Sequence, residues 1–276
     1  MQKTISIVVA IFNRKDELFE LLNSLIAQTD KDFEVIIVDD GSFVDLLPTV
    51  ETFKEMLNIQ YFKKANSGPG LSRNYGANRA KNDWLVFVDS DVIVEKDYIE
   101  NIKKNLEKTD CAAFGGADKA HKGFNLLQKA ISYSMTSVFT TGGIRGSKKA
   151  VTRFQPRSFN MGVNKEIFLK IGGFSEMRIG EDPDLSMTIW ENGYQTAFFD
   201  DIGVYHKRRT DLGKFSKQVY QFGCARPILN QRHPDYVKPT FWFPTLFLLG
   251  YVAGILEYFL LQKGFVLACY GFYTLV

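Results

Sequence analysis

With 276 residues, 45% of them hydrophobic and 24% charged, the chain can bury the core of one large α/β domain with an appendage, and nothing in it requires two independent folds. The formal net charge of +3 is unevenly spread: between Val204 and Thr240 eight Lys and Arg stand against two Asp, so the rest of the chain is net acidic. A basic block directly before an apolar run points to an anionic membrane surface and argues against nucleic acid as the partner.

The first apolar run, Ser6 to Phe12, is rich in β-branched residues and predicts a strand buried on both faces of a parallel sheet. Asn13 or Asp16 is placed to cap the helix that follows, in which Leu18, Leu21, Leu22, Leu25 and Ile26 recur at helical spacing. Phe33 to Val38 predicts a second buried strand ending in Asp39-Asp40-Gly41-Ser42. A weaker strand over Ile59–Lys63 leads to the loop Asn66-Ser67-Gly68-Pro69-Gly70 and a helix holding Ser72, Arg73, Asn74 and Ala77. Trp84 to Val88 predicts another buried strand, running into Asp89-Ser90-Asp91. Alternating strands and helices imply a doubly wound, mostly parallel sheet, whose ligands collect at the carboxyl ends of the strands. Both acidic clusters lie at such ends.

Further on come a helix over Asp97–Leu106, a short strand over Cys111–Ala117, an amphipathic stretch from Phe124 to Phe139 and a basic loop from Gly142 to Lys149. Asn160-Met161, Gly172-Gly173-Phe174 and the acidic turn Gly180-Glu181-Asp182-Pro183-Asp184 follow, then a helix to Asn192 and a strand ending at Tyr205-His206. The basic segment carries an amphipathic helix over Leu212–Arg226. Phe241 to Leu261, with one charge, Glu257, reaches the roughly 20 residues needed to cross hydrocarbon. The apolar stretch from Gly264 to Val276 is too short to span, and is either re-entrant or interfacial or part of a second span; the two apolar stretches could also form a buried helical hairpin of a soluble core. Cys111, Cys224 and Cys269 have neither metal-ligand nor paired spacing, and no basic-plus-apolar leader precedes the first strand. The expectation is a reducing, cytosolic setting without export.

Two carboxylates one residue apart at a strand end repel unless a cation lies between them. A hard divalent ion with phosphate oxygens suits Asp89-Ser90-Asp91, although such a triplet also serves as a helix-capping turn. Asp39-Asp40-Gly41-Ser42 fits either a tight turn or recognition of a nucleobase or ribose. Arg73, with Lys63 or Lys64, can supply positive charge to phosphate. Asp182 reads as an N-cap before Pro183, and a carboxylate so fixed can also take a proton from an attacking hydroxyl. Glu181 could orient it or touch the acceptor. His206 is either structural or a further metal ligand. No Gly-x-Gly-x-x-Gly or phosphate-loop motif follows a strand, which disfavours nicotinamide enzymes and P-loop kinases. Phe12-Asn13-Arg14-Lys15 lacks the glycines of a nucleotidyltransferase.

Taken in order and spacing, Phe12-Asn13, Val38 to Ser42, Asn66-x-Gly68 with Arg73-Asn74, Asp89-Ser90-Asp91, Asn160-Met161, Gly172-Gly173-Phe174 and Glu181-Asp182-x-Asp184-Leu185 resemble family 2 glycosyltransferases over about residues 4 to 226. The resemblance implies a GT-A fold over residues 1–210, a basic interfacial helix and linker over 211–240 and hydrophobic membrane segments over 241–276. It implies an inverting transfer of one sugar from a UDP- or GDP-linked donor to a glycan or polyprenyl-linked acceptor at the cytoplasmic face of the membrane. Phe12, Asn13, Asp40, Asn66, Arg73, Asp89 and Ser90 would bind the nucleotide sugar, and Gly173, Phe174 and Glu181 the acceptor. Asp91 and His206 would hold Mg²⁺ or Mn²⁺, and Asp182 would be the general base. The tail resembles exopolysaccharide and capsule transferases. The Gln-x-x-Arg-Trp motif of processive synthases is missing: Gln218, Gln221 and Arg226 occur without the Trp. A processive synthase, a polyprenyl-phosphate transferase and a silent nucleotide-sugar-binding module remain the rivals.

Overall fold

A computed structural model of the chain describes residues 3–119, 126–136, 153–206 and 211–275. In chain order its elements begin β1 (Ile5–Ile11), α1 (Lys15–Ile26), β2 (Phe33–Asp39), α2 (Leu47–Glu51), β3 (Ile59–Lys63), α3 (Pro69–Ala77), β4 (Trp84–Asp89) and β5 (Val92–Val94). They continue with α4 (Tyr98–Lys108), β6 (Ala113–Lys119), α5 (Leu126–Thr136), β7 (Asn160–Asn164), α6 (Lys165–Lys170), α7 (Glu181–Glu191) and β8 (Thr196–His206). The helices α8 (Leu212–Arg232), α9 (Phe243–Leu261) and α10 (Phe265–Leu275) close the order. The basic loop expected over Gly142–Lys149 lies outside the described residues.

The eight described strands form one sheet in the order β3-β2-β1-β4-β7-β6-β8-β5. β3, β2, β1 and β4 are parallel, as are β6 and β8, whereas β7 runs antiparallel to both its neighbours and β5 antiparallel to β8. The mostly parallel α/β sheet expected from the sequence is therefore present, with two reversed strands that the sequence pattern hid. β1 and β2 are enclosed on both faces, which is why they read as unbroken apolar runs. Glu34, 2% exposed within β2, is tolerated because its carboxylate accepts hydrogen bonds from Ser6 Oγ, Gln60 Nε2 and Lys81 N at 2.6, 2.9 and 2.6 Å.

α1 buries Leu18, Leu21, Leu22 and Leu25 against the sheet. Neither Asn13 nor Asp16 caps it: Arg14 is the N-cap residue and no side chain caps the helix start. α3 lies so close to the sheet that a Cβ on Gly76 would stand 2.6 Å from Val8 Cγ1, so glycine there sets the depth of the helix that carries Arg73.

The chain divides into two compact units, Met1–Leu229 and Asn230–Val276. The division falls inside α8, which continues past Arg226 and through Pro227. In the second unit, α9 is long and apolar enough to cross a membrane. A left-handed turn at Gln262, with φ of 52°, lets α10 fold back on it, and Tyr270 Oη donates to the Phe247 carbonyl at 3.0 Å. Glu257, the one charge in α9, accepts a hydrogen bond from Val266 N at 3.2 Å and so satisfies an amide at the start of α10.

Candidate functional site

β1, β2 and β4 are parallel neighbours, so their carboxyl ends bring Phe12-Asn13, Asp39 to Ser42 and Asp89 to Asp91 to one edge of the sheet. Asn13 takes a left-handed conformation with φ of 55°. Its N–H donates to Ser42 Oγ at 2.9 Å and its Oδ1 accepts from Phe43 N at 2.8 Å, stitching the end of β1 to the turn after β2. Phe12 and Phe43 meet edge to face at 6.0 Å, with Phe43 91% exposed. The sequence reading singled out Phe12 and missed Phe43.

The two aspartates of that turn have different tasks. Asp39 is fully buried and accepts hydrogen bonds from Ser42 N at 2.8 Å and Tyr61 Oη at 2.7 Å. Asp40 gathers the loop before α3: it accepts from Lys64 Nζ at 2.6 Å, Ser67 N at 2.8 Å and Gly68 N at 2.9 Å. Burial alone would raise the Asp40 pKa, but Lys64 and these amides outweigh it and hold the carboxyl below its ordinary value. Asn66 Nδ2 donates to the Asp40 carbonyl at 2.8 Å, so the loop is tied to the strand end at both backbone and side chain.

Arg73 is the hub of the site. Only 4% exposed, it donates from Nη2 to Asp89 Oδ1 at 2.7 Å and from Nη1 to Glu181 Oε1 at 2.9 Å, joining the end of β4 to the start of α7. Each terminal nitrogen thus gives one of its two N–H groups to a carboxylate. Phe174 departs from expectation. It is 2% exposed, packs against Phe87 at 5.0 Å, and lies 5.4 Å beneath the Arg73 guanidinium. A ring enclosed in this way offers no face to an acceptor; it supports Arg73. Asn74 exchanges two hydrogen bonds with the Phe174 backbone, 2.7 and 2.9 Å, which places the Gly172-Gly173-Phe174 turn, and Gly173 adopts φ of 69° there.

Asp91 pairs with Arg14, a contact absent from the sequence reading. Ser90 is buried between the two aspartates of its triplet, and a third of the Asp89 side chain stays open to solvent. In the register of β5 and β8, His206 stands opposite Val92, one position beyond Asp91, so the backbone brings it to the same corner; its side chain lies outside the described residues. Among the described residues no group of three or more His, Cys, Asp or Glu side chains is arranged to hold a metal. Asp89 and Asp91 still present two carboxylates at one strand end, a donor set that suits Mg²⁺ or Mn²⁺ when diphosphate oxygens complete the shell.

On the far side of Arg73, Glu181 and Asp182 occupy the first turn of α7, together with Asp184. Asp182 is not the N-cap: that position belongs to Gly180, whose φ of 86° turns the chain into the helix, and Asp182 is the second residue of the helix. Three carboxylates at a helix N-terminus are favoured by its dipole. Burial, with the charge of Asp182, pushes the Glu181 pKa up to about 7 against the opposing pull of Arg73. Asp182 is partly open and pairs with Arg157 at 3.4 Å. Arg157 belongs to no motif, and nothing in its local sequence marks it.

The sequence profile of Glycosyl transferase family 2 matches residues 6–171. An uncharacterized glycosyltransferase of Haemophilus influenzae is 31% identical over 202 residues, covering 70% of this chain and 64% of its own. One from Rickettsia felis is 36% identical over 106 residues, 38% of this chain and 18% of its own length, so the chain spans only a fraction of such relatives. Among solved structures, residues 1–349 of S. aureus TarS in complex with UDP-GlcNAc superpose with a TM-score of 0.64 at 22% identity, over 83% of this chain and 66% of that one. The mannosyltransferase PcManGT of Pyrobaculum calidifontis, in complex with GDP-Man and Mn²⁺, gives 0.60 at 19% identity over 90% and 69%. These likenesses show the GT-A fold. With the profile spanning most of the sheet and its acidic strand ends, the chain belongs to Glycosyl transferase family 2.

Proposed function

We propose that the chain transfers one sugar from a nucleotide-diphosphate sugar to a glycan or polyprenyl-linked acceptor, by a single displacement that inverts the anomeric carbon. The observation that carries this reading is the Arg73 bridge, which holds Asp89, at the end assigned to the donor, and Glu181, the neighbour of Asp182, on one guanidinium. A direct displacement needs those two groups on opposite sides of the reacting carbon and no covalent intermediate.

In this reading the turn Asp39 to Ser42 and the loop it gathers, including Asn66, frame the nucleoside, with Phe12 and Asn13 at its edge. Asp40 supports that loop while offering its remaining acceptor capacity to the base. Asp89, Ser90 and Asp91 face the diphosphate. Asp91 and His206 would hold Mg²⁺ or Mn²⁺, which would neutralise charge developing on the departing nucleotide. Asp182 takes the proton from the acceptor hydroxyl as its oxygen attacks, while Glu181 and Gly173 line its approach. The complexes of TarS with UDP-GlcNAc and PcManGT with GDP-Man and Mn²⁺ support a nucleotide-sugar donor and a metal here. α9, preceded by the basic stretch of α8, supports attachment to the cytoplasmic face of a membrane.

The test is to screen UDP and GDP with and without Mn²⁺ for thermal stabilisation, then to follow donor turnover in wild type and Asp182→Asn. We expect one nucleotide to stabilise only with metal, and turnover to fall by about 10²-fold or more in the variant, the scale of losing a general base, with nucleotide binding kept. Turnover unchanged in Asp182→Asn would remove Asp182 as the base. Metal-dependent binding without any turnover in wild type would favour a silent binding module.

A further inference from the structure

Asp91, proposed above as a metal ligand, already carries a cation. Arg14 stands at the start of α1, where Asn13 with φ of 55° turns the chain out of β1, and its side chain crosses to the end of the neighbouring strand β4 to pair with Asp91. The Asp91 side chain is 12% exposed and that of Arg14 34%. Burial alone would lower the Arg14 pKa, but Asp91, and after it Asp89, outweigh burial and raise the value, so the guanidinium lies in the field of both carboxylates of the triplet. Asp89 has a guanidinium of its own, that of Arg73. The two arginines differ in freedom. Arg73 is enclosed and tied to carboxylates on two elements, whereas Arg14 is a third open to solvent and its side chain caps nothing on α1. Two carboxylates that each face a guanidinium offer a divalent ion little uncompensated charge, and Arg14 must release Asp91 before that carboxylate can ligate one. A released guanidinium fork gains most from phosphate oxygens, which it meets bidentately.

We propose that Arg14 competes with the divalent ion for Asp91 and turns to the donor diphosphate once it gives up that carboxylate, so that ion and nucleoside diphosphate bind as a pair. The inference rests on reading Asp91 as a metal ligand and the end of β4 as the diphosphate site. Its consequence is a coupling between the two ligands. An ion arriving without the nucleotide costs the Arg14–Asp91 pair and gives Arg14 nothing in return; with the nucleotide present, Arg14 exchanges one anion for another.

Binding of Mn²⁺ and of nucleotide to the full chain in detergent tests this, the first followed by electron paramagnetic resonance of free Mn²⁺ and the second by calorimetry with UDP or GDP. In Arg14→Gln the chain alone should hold Mn²⁺ at least about fivefold more tightly, and the factor by which Mn²⁺ and nucleotide tighten each other should shrink by at least about fivefold, read from either ligand. Arg14→Lys keeps the charge without the fork and should lie between wild type and Arg14→Gln; it carries the test if Arg14→Gln fails to fold, as judged by circular dichroism. Lys15→Gln removes the adjacent charge and should move Mn²⁺ affinity by less than about twofold, which separates competition at Asp91 from the general field. Mn²⁺ affinity unchanged or weakened in Arg14→Gln, while Asp91→Asn in an otherwise wild-type chain weakens it, overturns the competition and leaves the metal reading standing. Tightened Mn²⁺ with an unchanged coupling to nucleotide overturns the turn of Arg14 to the diphosphate. Mn²⁺ affinity unchanged in Asp91→Asn, with and without nucleotide, sinks the metal reading of Asp91 and the competition with it.

Discussion

Arg73 shows how one buried side chain organises a site. Its guanidinium carries two carboxylates from elements far apart in sequence, and removing it strands both Asp89 and the enclosed Glu181. We expect Arg73→Met to cost about 3–5 kcal/mol, the scale for breaking a buried ion pair from one side, and to abolish turnover; urea denaturation and donor turnover check the two effects separately. Glu181 adds a pH dependence whose sign is fixed. Its folded pKa, about 7, is raised above the ordinary 4.5, so the folded state binds more protons between those values. The stability it contributes is complete below about pH 4.5 and is lost as pH rises to about 7. Glu181→Gln should flatten the fall in stability across that window, where one full proton is worth about 1.4 kcal/mol per pH unit; melting curves from pH 4.5 to 7.5 measure it. Arg73 and the two acidic strand ends were visible as residues in the sequence. Their partners were not: Arg14 follows Asn13 without a pattern, Arg157 belongs to no motif, and the bridge from Arg73 to Glu181 spans more than a hundred positions.

At the scale of elements, legibility followed burial. β1, β2 and β4 are enclosed on both faces and were readable as apolar runs, whereas β5 is three residues long and β7, Asn-Met-Gly-Val-Asn, has no run to read. β7 exists because β4 and β6 offer it antiparallel partners, a non-local cause. The sequence reading ended this helix at Arg226; although Pro227 removes a donor, α8 continues, with Ala225 and Leu229 both buried and Gly180 beneath them. Gly180 is where α7 and α8 meet. Gly180→Ala forces a side chain into φ of 86° and against Ala225 and Leu229, and should cost about 1–3 kcal/mol. It should also shift the first turn of α7, so donor turnover should fall more than nucleotide affinity, which titration with UDP or GDP and Mn²⁺ would show.

For the molecule as a whole, the sheet order sets the geometry of the candidate site. Three adjacent parallel strands deliver the groups we propose for the nucleotide to one edge, and the reversed β7 and the bridge through Arg73 bring the start of α7 to meet them. Fold and family were legible from ordered motifs. Which face of each carboxylate is already occupied was not, because that depends on contacts across the sheet. The central claim is a single inverting displacement with Asp182 as base. It is tested most directly by proton NMR of the sugar first released when the full chain and Mn²⁺ turn over UDP-GlcNAc or GDP-mannose in water. The account predicts that an α-linked donor gives the β anomer first, and that Asp182→Asn releases it at least about 10²-fold more slowly. First appearance of the α anomer, or release undiminished in the variant, would contradict it.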